Sequence, residues 1–537
     1  MEVDNVKFNY LFEISWEVCN KVGGIYTVVT SKLNSIMKHY ENYILIGPYT
    51  NESINNLEVE EVPYNFIDAK HELEKMGIKI HYGTWNIPQR PKVILVEYLN
   101  YSSNINNIKG KLWEKYSIDS LGSDWNDFDN PILWSWSCGI VIDKLMNEYE
   151  QNVYVHCHEW MSGGAIFYLD STQENKFRTI FTTHATMIGR SIAGNNLDLY
   201  GKLKDFDTEE MVESLGVKTK HQTEKALAHT CNVFSTVSEI TALETEKFYD
   251  KKPDIILYNG FDNSKIPEFE LLNHKFTESR NRTNKFLQKY FEKYYNVDMD
   301  KTHLFYTSGR YEYRNKGLDI YIKSLKQLNQ KLKEDKHHEQ VINLFLIMIG
   351  QFEKIPENYN TETGNAPLCT HYIEENNEIM KAFREHGLEN KEEDHVKVIL
   401  IPIKISDKDD LFNRDYYEFV TGMDLGIFPS YYEPWGYTPL ESISYGVPSI
   451  TSDLSGFGAS IENNCGKSCP SVKLLNRRNI GDDIATENLA EFLYHFAKKG
   501  KKELLYQRNV AKWLALKYDW NKSVENYLMA YEMSNHK

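Results

Sequence analysis

Phe428-Pro429-Ser430-Tyr431-Tyr432-Glu433-Pro434-Trp435-Gly436-Tyr437-Thr438-Pro439-Leu440-Glu441 is the stretch on which the reading of this chain turns. It leaves the apolar run Leu425–Phe428, the length of a buried strand, and ends on Thr438-Pro439-Leu440-Glu441, a capping box with proline at the first helical position. The pattern predicts a helix starting at Thr438, its free amides facing the end of the preceding strand. Strand, short loop and helix form the unit of a parallel α/β sheet, whose ligands bind at the carboxyl ends of the strands. Glu433 then sits on a loop bounded by proline and glycine, a carboxylate among Tyr, Pro and Trp with no structural duty. Glu441 falls in the first helical turn, where the capping box already gives it one.

The same alternation runs outward in both directions. Short β-rich apolar runs occur at Tyr43–Ile46, Val93–Leu99, Val153–His158, Thr179–Thr183, Val233–Val237, Ile255–Tyr258, Leu304–Thr307, Leu344–Ile349, Val396–Ile401 and Leu425–Phe428, most of them separated by helix-length stretches. Ten strands are too many for one small sheet. Two polar stretches interrupt the pattern, Asn263–Lys301 and Glu353–Asp394, and the first reads as a hinge following Tyr258-Asn259-Gly260. The expectation is two Rossmann-like α/β domains with a cleft between them.

Composition fits a folded chain of this kind. At 537 residues, 41% apolar and 26% charged, disorder, collagen and coiled coil are excluded as descriptions of the whole. Sixty-one Lys and Arg against 77 Asp and Glu leave a net charge of −16, which argues against nucleic acid or an anionic membrane as main partner, so any bound phosphate needs a local basic pocket. The longest apolar runs, such as Asn343–Gly350, are far too short to span a bilayer, and MEVDNVKFNY lacks the marks of a signal peptide. A cytoplasmic location is expected. The seven cysteines suit a reducing compartment, and the close pair Cys465 and Cys469 has no second pair to complete a zinc site, so both read as thiols.

Four further segments carry candidate chemistry. Lys21-Val22-Gly23-Gly24 follows the apolar run Tyr10–Trp16 and precedes the helical Ile25–Met37, so its amides and lysine can meet an anion at a helix start, or form a plain turn. His156-Cys157-His158-Glu159 ends a strand with two histidines on one face. No third ligand stands at useful spacing, and the HExxH zinc pattern fails at Ser162, so these side chains line the cleft or satisfy backbone groups. Thr182-Thr183-His184-Ala185 is followed by Arg190, a pair suited to a sugar hydroxyl and a phosphate, or else a core histidine and a surface arginine. Arg310 and Lys316, six residues apart after the strand Leu304–Ser308, can clamp a diphosphate, whereas Arg314 between them reads as a solvated surface cation.

These segments together resemble one family, the glycogen synthases of animals and fungi, retaining glucosyltransferases of the GT-B fold. The resemblance rests on Trp16–Val28, Thr179–Arg190, Lys252–Asp262, Ser308–Gly317, Asp415–Val420 and Leu425–Gly458, in family order. It implies an N-terminal domain of residues 1–262 completed by a helix at about 516–537, and a C-terminal nucleotide-sugar domain of residues 263–515. It implies a UDP-glucose donor, an α-1,4-glucan acceptor such as glycogen, and no metal or other cofactor. Lys21, Gly23 and Gly24 would face the donor phosphates. His184 and Arg190 would contact glucose and phosphate, Arg310 and Lys316 the diphosphate, and Tyr416 the uracil. Glu433, Trp435, Gly436 and Tyr437 would surround the glucose, Thr438 the β-phosphate, and Glu441 the ribose. Asn259 joins the binding set, and Glu433, Arg310, Lys316 and His184 the catalytic one.

The chain departs from the family in three places. The region matching its arginine cluster, which reads glucose 6-phosphate, is Lys498–Lys517 and holds one arginine, Arg508, and the sequence ends at Lys537 with no Ser-rich tail. Pro267–Asn273 replaces the family's His- and Lys-containing sugar-phosphate stretch. Activity independent of glucose 6-phosphate is therefore expected. A glucan primer protein and a homo-oligomer stay open as partners. Rival readings are another retaining GT-B transferase with a different nucleotide or a small acceptor, and an inactive glucan-binding protein.

Overall fold

The computed structural model describes residues 9–335, 339–355, 364–374, 376–466 and 469–537. The chain divides into two compact units, one made of the residues up to Asp262 with Tyr518–Lys537, the other of Asn263–Lys517. The start of the N-terminal segment judged to lack signal-peptide character lies outside the described residues.

The first unit is built on a nine-stranded sheet of β1 (Tyr10–Ile14), β2 (Asn42–Pro48), β3 (Leu57–Val59), β4 (Lys79–Trp85), β5 (Lys92–Glu97), β6 (Val153–His158), β7 (Phe177–Thr183), β8 (Val233–Thr236) and β9 (Ile255–Ile256). Its order is β3-β4-β5-β2-β1-β6-β7-β8-β9, parallel from β5 to β9, with β3 and β4 antiparallel at one edge. The parallel strands run outward both ways from β1 and β6, which makes the gap between those two the switch point of a doubly wound sheet. The central strands are buried along nearly their whole length, as strands covered on both faces must be. Helix α1 (Gly24–Ser31) follows β1, and α2 (Asn130–Leu145) is buried on almost every side, which fits its apolar sequence. Helices α3 (Met187–Gly194), α4 (Lys218–Thr230) and α5 (Glu239–Phe248) follow β7 and β8.

The second unit carries a six-stranded parallel sheet of β10 (Thr302–Arg310), β11 (Gln340–Met348), β14 (Val396–Ile401), β15 (Leu425–Phe428), β16 (Ser449–Ser452) and β17 (Val472–Leu475), with the short pair β12 (Glu353–Lys354) and β13 (His371–Tyr372) beside it. Its order, β14-β11-β10-β15-β16-β17, is the 3-2-1-4-5-6 of a Rossmann sheet, with the switch point between β10 and β15. One face is covered by α7 (Leu318–Glu334), whose Leu318, Tyr321, Leu325, Leu328 and Leu332 repeat at helical spacing, and the other by the end of α6 (Phe269–Phe291) through Leu287 and Phe291. Helices α8 (Tyr416–Thr421), α9 (Tyr437–Ser444), α10 (Gly456–Cys465) and α11 (Lys501–Ala515) complete this unit.

The last helix, α12 (Trp520–Ser534), packs on β7, β8 and β9 and therefore belongs to the first unit. Trp520, Val524, Tyr527 and Tyr531 form its buried face, and the Trp520 indole N–H donates to Ser31 Oγ at 2.7 Å.

All ten apolar runs become strands. Three expectations change. The polar stretch expected as a hinge contains the 23-residue α6, because Leu272, Ser279, Thr283, Leu287 and Phe291 form a narrow buried stripe on an otherwise polar helix. Helix α9 starts at Tyr437 with Gly436 as its cap, at φ 108°, and no capping box forms, because the Glu441 carboxylate turns away to the Tyr417 hydroxyl at 2.9 Å. Cys465 and Cys469, expected as thiols, are joined in a disulfide at the end of α10, with their Cα atoms 5.2 Å apart. Parts of Glu353–Asp394 form β12, β13 and a helix at Glu378–Glu385, with residues 356–363 and 375 outside the described set. Among the described residues no helix is long and apolar enough to cross a membrane.

Candidate functional site

Most of the candidate residues fall after strands that flank or neighbour the switch point of their own sheet. In the second unit, β10 ends on Arg310 and β15 ends on Phe428, so the loops to Lys316 and Glu433 leave neighbouring strand ends. The two loops are tied together by the amide of Tyr431, which donates to Asn315 O at 2.9 Å. Gly317 caps α7 in the left-handed region at φ 68°, with its Cα packed so closely that an added Cβ would lie 2.1 Å from Pro429 O. Only glycine lets the lysine loop press so tightly against the end of β15.

Lys316 Nζ lies 2.5 Å from Glu433 Oε2, both side chains largely shielded from solvent. Arg310 is exposed and pairs with Glu312 at 2.9 Å, so the two cations of the expected clamp are engaged by different carboxylates. The loop carrying Glu433 rests on the N-terminus of α10: Gly456 N–H donates to Glu433 O at 2.9 Å and Phe457 N–H to Trp435 O at 2.7 Å. Trp435 is buried. Gly436, Tyr437 and Thr438 lead into the first turn of α9, and the positive end of the helix dipole there favours negative charge. Glu441 Oε1 accepts from Tyr417 OH, and desolvation pushes its carboxyl up to about 7 against that hydrogen bond. Tyr416 OH lies 2.6 Å from Ser308 Oγ at the end of β10.

Arg314 is not the solvated cation expected. Its guanidinium reaches Asp319 at 3.3 Å and lies over the ring of Tyr431, which meets Arg477 at 3.5 Å as well. The Tyr431 hydroxyl donates to Asp482 at 2.7 Å, so two arginines and a carboxylate fix the tyrosine two residues before Glu433. Arg477 and Asp482 come from beyond β17, and nothing local in the sequence announced them.

In the first unit, the turn after β1 holds its own anion. Glu17 Oε2 accepts from Gly23 N–H at 2.7 Å and from Tyr26 N–H at 2.9 Å, occupying amides that the sequence reading had free for a ligand. Lys21 is exposed, its Nζ 5.3 Å above the Tyr26 ring, and Gly24 is exposed beside it.

His184 follows β7 and is 8% exposed, and Arg190 stands exposed on α3. The intervening loop hangs on three glutamates. Glu159 takes the amides of His184 and Ala185 at 2.9 and 3.1 Å, Glu224 the Met187 amide at 3.0 Å, and Glu244 the Thr186 hydroxyl at 2.6 Å. Burial pushes Glu159 and Glu244 up to about 7, and burial with the nearby Glu159 charge raises Glu224 well above the usual carboxylate range. Asn259 is buried, with its side-chain oxygen unpartnered among the described residues.

The histidine pair at the end of β6 acquires the third ligand that sequence spacing did not supply. Glu13, from β1, lies against His156 and His158 with ligand atoms within 4.8 Å of one another. The ammonium of Lys32 sits on the same carboxylate, however, and fills the cation position. His156 bonds Tyr531 OH and Thr182 Oγ1, at 3.0 and 2.7 Å, so it joins α12 to the sheet, while Glu159 of the same segment satisfies backbone amides, one of the two roles expected of these side chains.

Three comparisons bear on what these arrangements do. A family model described as glycogen synthase matches residues 13–366 and 359–537. The chain is 32% identical to the liver glycogen [starch] synthase of Mus musculus, over 95% of this chain and 81% of that protein. It is 31% identical to the glycogen [starch] synthase of Neurospora crassa, over 99% and 84% respectively. Among solved structures, the catalytic domain of starch synthase IV from Arabidopsis thaliana, bound to ADP and acarbose, superposes with a TM-score of 0.60 at 16% identity, covering 98% of this chain and all of that one. A trehalose-6-phosphate protein from E. coli bound with UDP-2-fluoro glucose does so with 0.52 at 10%, covering 98% and 99%. The fold shared with both is GT-B, two Rossmann-like units in one chain.

Proposed function

Because the chain belongs to the glycogen synthase family, we propose that it transfers glucose from UDP-glucose to the non-reducing end of an α-1,4-glucan, keeping the configuration at the anomeric carbon. The observation that carries the reading is the Lys316–Glu433 pair at the switch point of the second sheet. Arg310 and Lys316 take the diphosphate there, with the amides at Thr438 completing the anion site. Glu441, no longer claimed by a capping box, is available to the ribose hydroxyls, and Tyr416 to the uracil. Glu433, with Trp435, Gly436 and Tyr437 around it, orients the glucose. From the first unit come Lys21 and Gly24 for phosphate, His184, Arg190 and Asn259 for sugar and phosphate. Gly23 has its amide occupied by Glu17 and serves as a turn.

UDP departs as the glucan hydroxyl attacks from the same face. Charge that develops on the leaving phosphate is met by two cations already in place, so no metal is required. Glu433 is ion-paired through Oε2 to Lys316, which suits a carboxylate that orients a sugar better than one that attacks it. Arg508, the one arginine of its region, is buried with its guanidinium on the carbonyls of Thr421 and Met423, so it is not offered to a sugar phosphate, and glucose 6-phosphate does not activate the enzyme.

Transfer of labelled glucose to glycogen from UDP-glucose and from ADP-glucose, with and without glucose 6-phosphate, tests all of this. Hydrolysis of UDP-glucose without transfer would remove the glucan acceptor, and several-fold activation by glucose 6-phosphate would remove the insensitivity.

A further inference from the structure

A buried chain of hydrogen bonds runs from the middle of β1 to His184. Glu13 is wholly enclosed, and its Oε1 accepts from Lys32 Nζ and from His158 Nε2, the latter at 2.6 Å, while Oε2 accepts from Tyr43 OH at 2.5 Å. His158 Nδ1 in turn lies 2.9 Å from His184 Nε2. Glu13 and His158 have no part in the substrate contacts of the previous section.

The protons in this chain can be placed by elimination. Burial opposes ionisation of Glu13, yet Lys32 and His158 together hold its carboxyl well below the usual range. An ionised carboxylate only accepts, so His158 Nε2 carries hydrogen. Burial and the Lys32 charge lower the basicity of both imidazoles, against Glu13 in each case and with Arg190 adding to the effect on His184, which favours their neutral forms. Neutral His158 then has a bare Nδ1, which can only accept, and His184 must donate to it from Nε2. That leaves His184 Nδ1 as a lone pair, and no hydrogen bond to it is made among the described residues.

We propose that Glu13 and His158 are positioning residues that lock His184 as its Nε2–H tautomer, so that Nδ1 accepts a hydrogen bond from a hydroxyl of the transferred glucose. The proposal rests on the reading that His184 faces the donor sugar. Its logic is that of a histidine whose working nitrogen is set by what the other nitrogen bonds. Were the chain to take up one proton, His158 would donate to His184, and Nδ1 would turn from acceptor to donor. The groups that face the chain and oppose this are Lys32 at the end of α1, Arg190 on α3 and His156 on β6. Glu13 on β1 favours it, and the hydroxyls of Tyr43 on β2 and of Tyr527 and Tyr531 on α12 stay neutral.

The test uses the full chain with 15N-labelled histidine, reading the imidazole nitrogens by long-range proton–nitrogen spectra, with His184→Gln identifying the signals. His184 should show a protonated Nε2 and a bare Nδ1 between pH 6 and 8, and the reverse assignment overturns the proposal. His158→Met removes the acceptor and should lower kcat about tenfold while leaving KM for UDP-glucose nearly unchanged. His158→Gln, which can accept from His184 and donate to Glu13, should restore most of the loss. If the Met variant does not fold, the tautomer measurement and the Gln variant still decide. Wild-type kcat in His158→Met overturns the positioning role. Wild-type kcat in His184→Ala overturns instead the sugar contact beneath it, whatever the tautomer.

Discussion

Lys316 and Glu433, 117 residues apart, form an ion pair at 2.5 Å between the loops that leave two adjacent strands. Neither residue can move without the other noticing. On the reading proposed above, donor binding draws Lys316 toward the diphosphate and leaves Glu433 free to meet the sugar, which makes the pair a single element of the proposed reaction.

Glu433→Ala should lower kcat by about 10² to 10³, as removal of one charge-stabilising group does in other active sites. Lys316→Ala should cost a similar amount, and the double variant should lose clearly less than the product of the two. Initial rates of glucose transfer to glycogen for the four proteins measure this. Strict additivity would mean that the pair is structural rather than shared in the reaction.

Gly317→Ala should damage the same element from outside it. The new Cβ meets the Pro429 carbonyl at 2.1 Å and the backbone is left-handed, so the loop must shift. A loss of about 1 to 3 kcal/mol in stability is expected, with a drop in kcat because Lys316 is the preceding residue. Denaturant unfolding beside the transfer assay would register both.

How much of this was legible beforehand depends on the range of the signal. The ten apolar runs announced the two sheets because a strand buried on both faces is apolar along its whole length. Tyr10–Trp16 was visible as an apolar run, but its Glu13 was not visible as the centre of a buried network, since Lys32, Tyr43 and His158 reach it only through sheet order. Lys316 and Glu433 were legible as separate residues on βα loops, and their contact was not. Thr438–Glu441 misled because a capping box is a local preference, and the Tyr417 hydroxyl outbid it for the carboxylate. The long α6 was hidden because a stripe of five buried residues in 23 looks polar to any composition count.

Arg508→Ala should report on stability and not on regulation. Its guanidinium donates to the carbonyls of Thr421 and Met423, each at 2.9 Å, and packs on Phe276. Removing it strands both carbonyls, at about 1.5 to 3 kcal/mol. The variant should melt lower while its rate remains indifferent to glucose 6-phosphate. A sugar-phosphate response gained or lost in this variant would assign Arg508 a regulatory role that its burial argues against.

Glu244 offers a prediction with a definite sign in pH. Burial raises its carboxyl from 4.5 to about 7, while its hydrogen bonds from Thr186 and Tyr200 pull the other way. Between those two values the folded chain holds a proton that the unfolded chain has released, so stability is greatest below 4.5 and falls as pH rises toward 7. The loss is of order 3 kcal/mol for this group, at 1.36 kcal/mol per unit. Glu244→Gln keeps the shape and a carbonyl acceptor for Thr186 and cannot ionise. It should therefore gain on the wild type from pH 5 to pH 8, with the difference growing over that interval. Glu159, also raised to about 7 and holding the His184 and Ala185 amides, adds a slope of the same sign that the substitution leaves in place. Urea midpoints of both proteins at pH 5, 6, 7 and 8 separate the contributions, and parallel curves would show that Glu244 is ionised throughout.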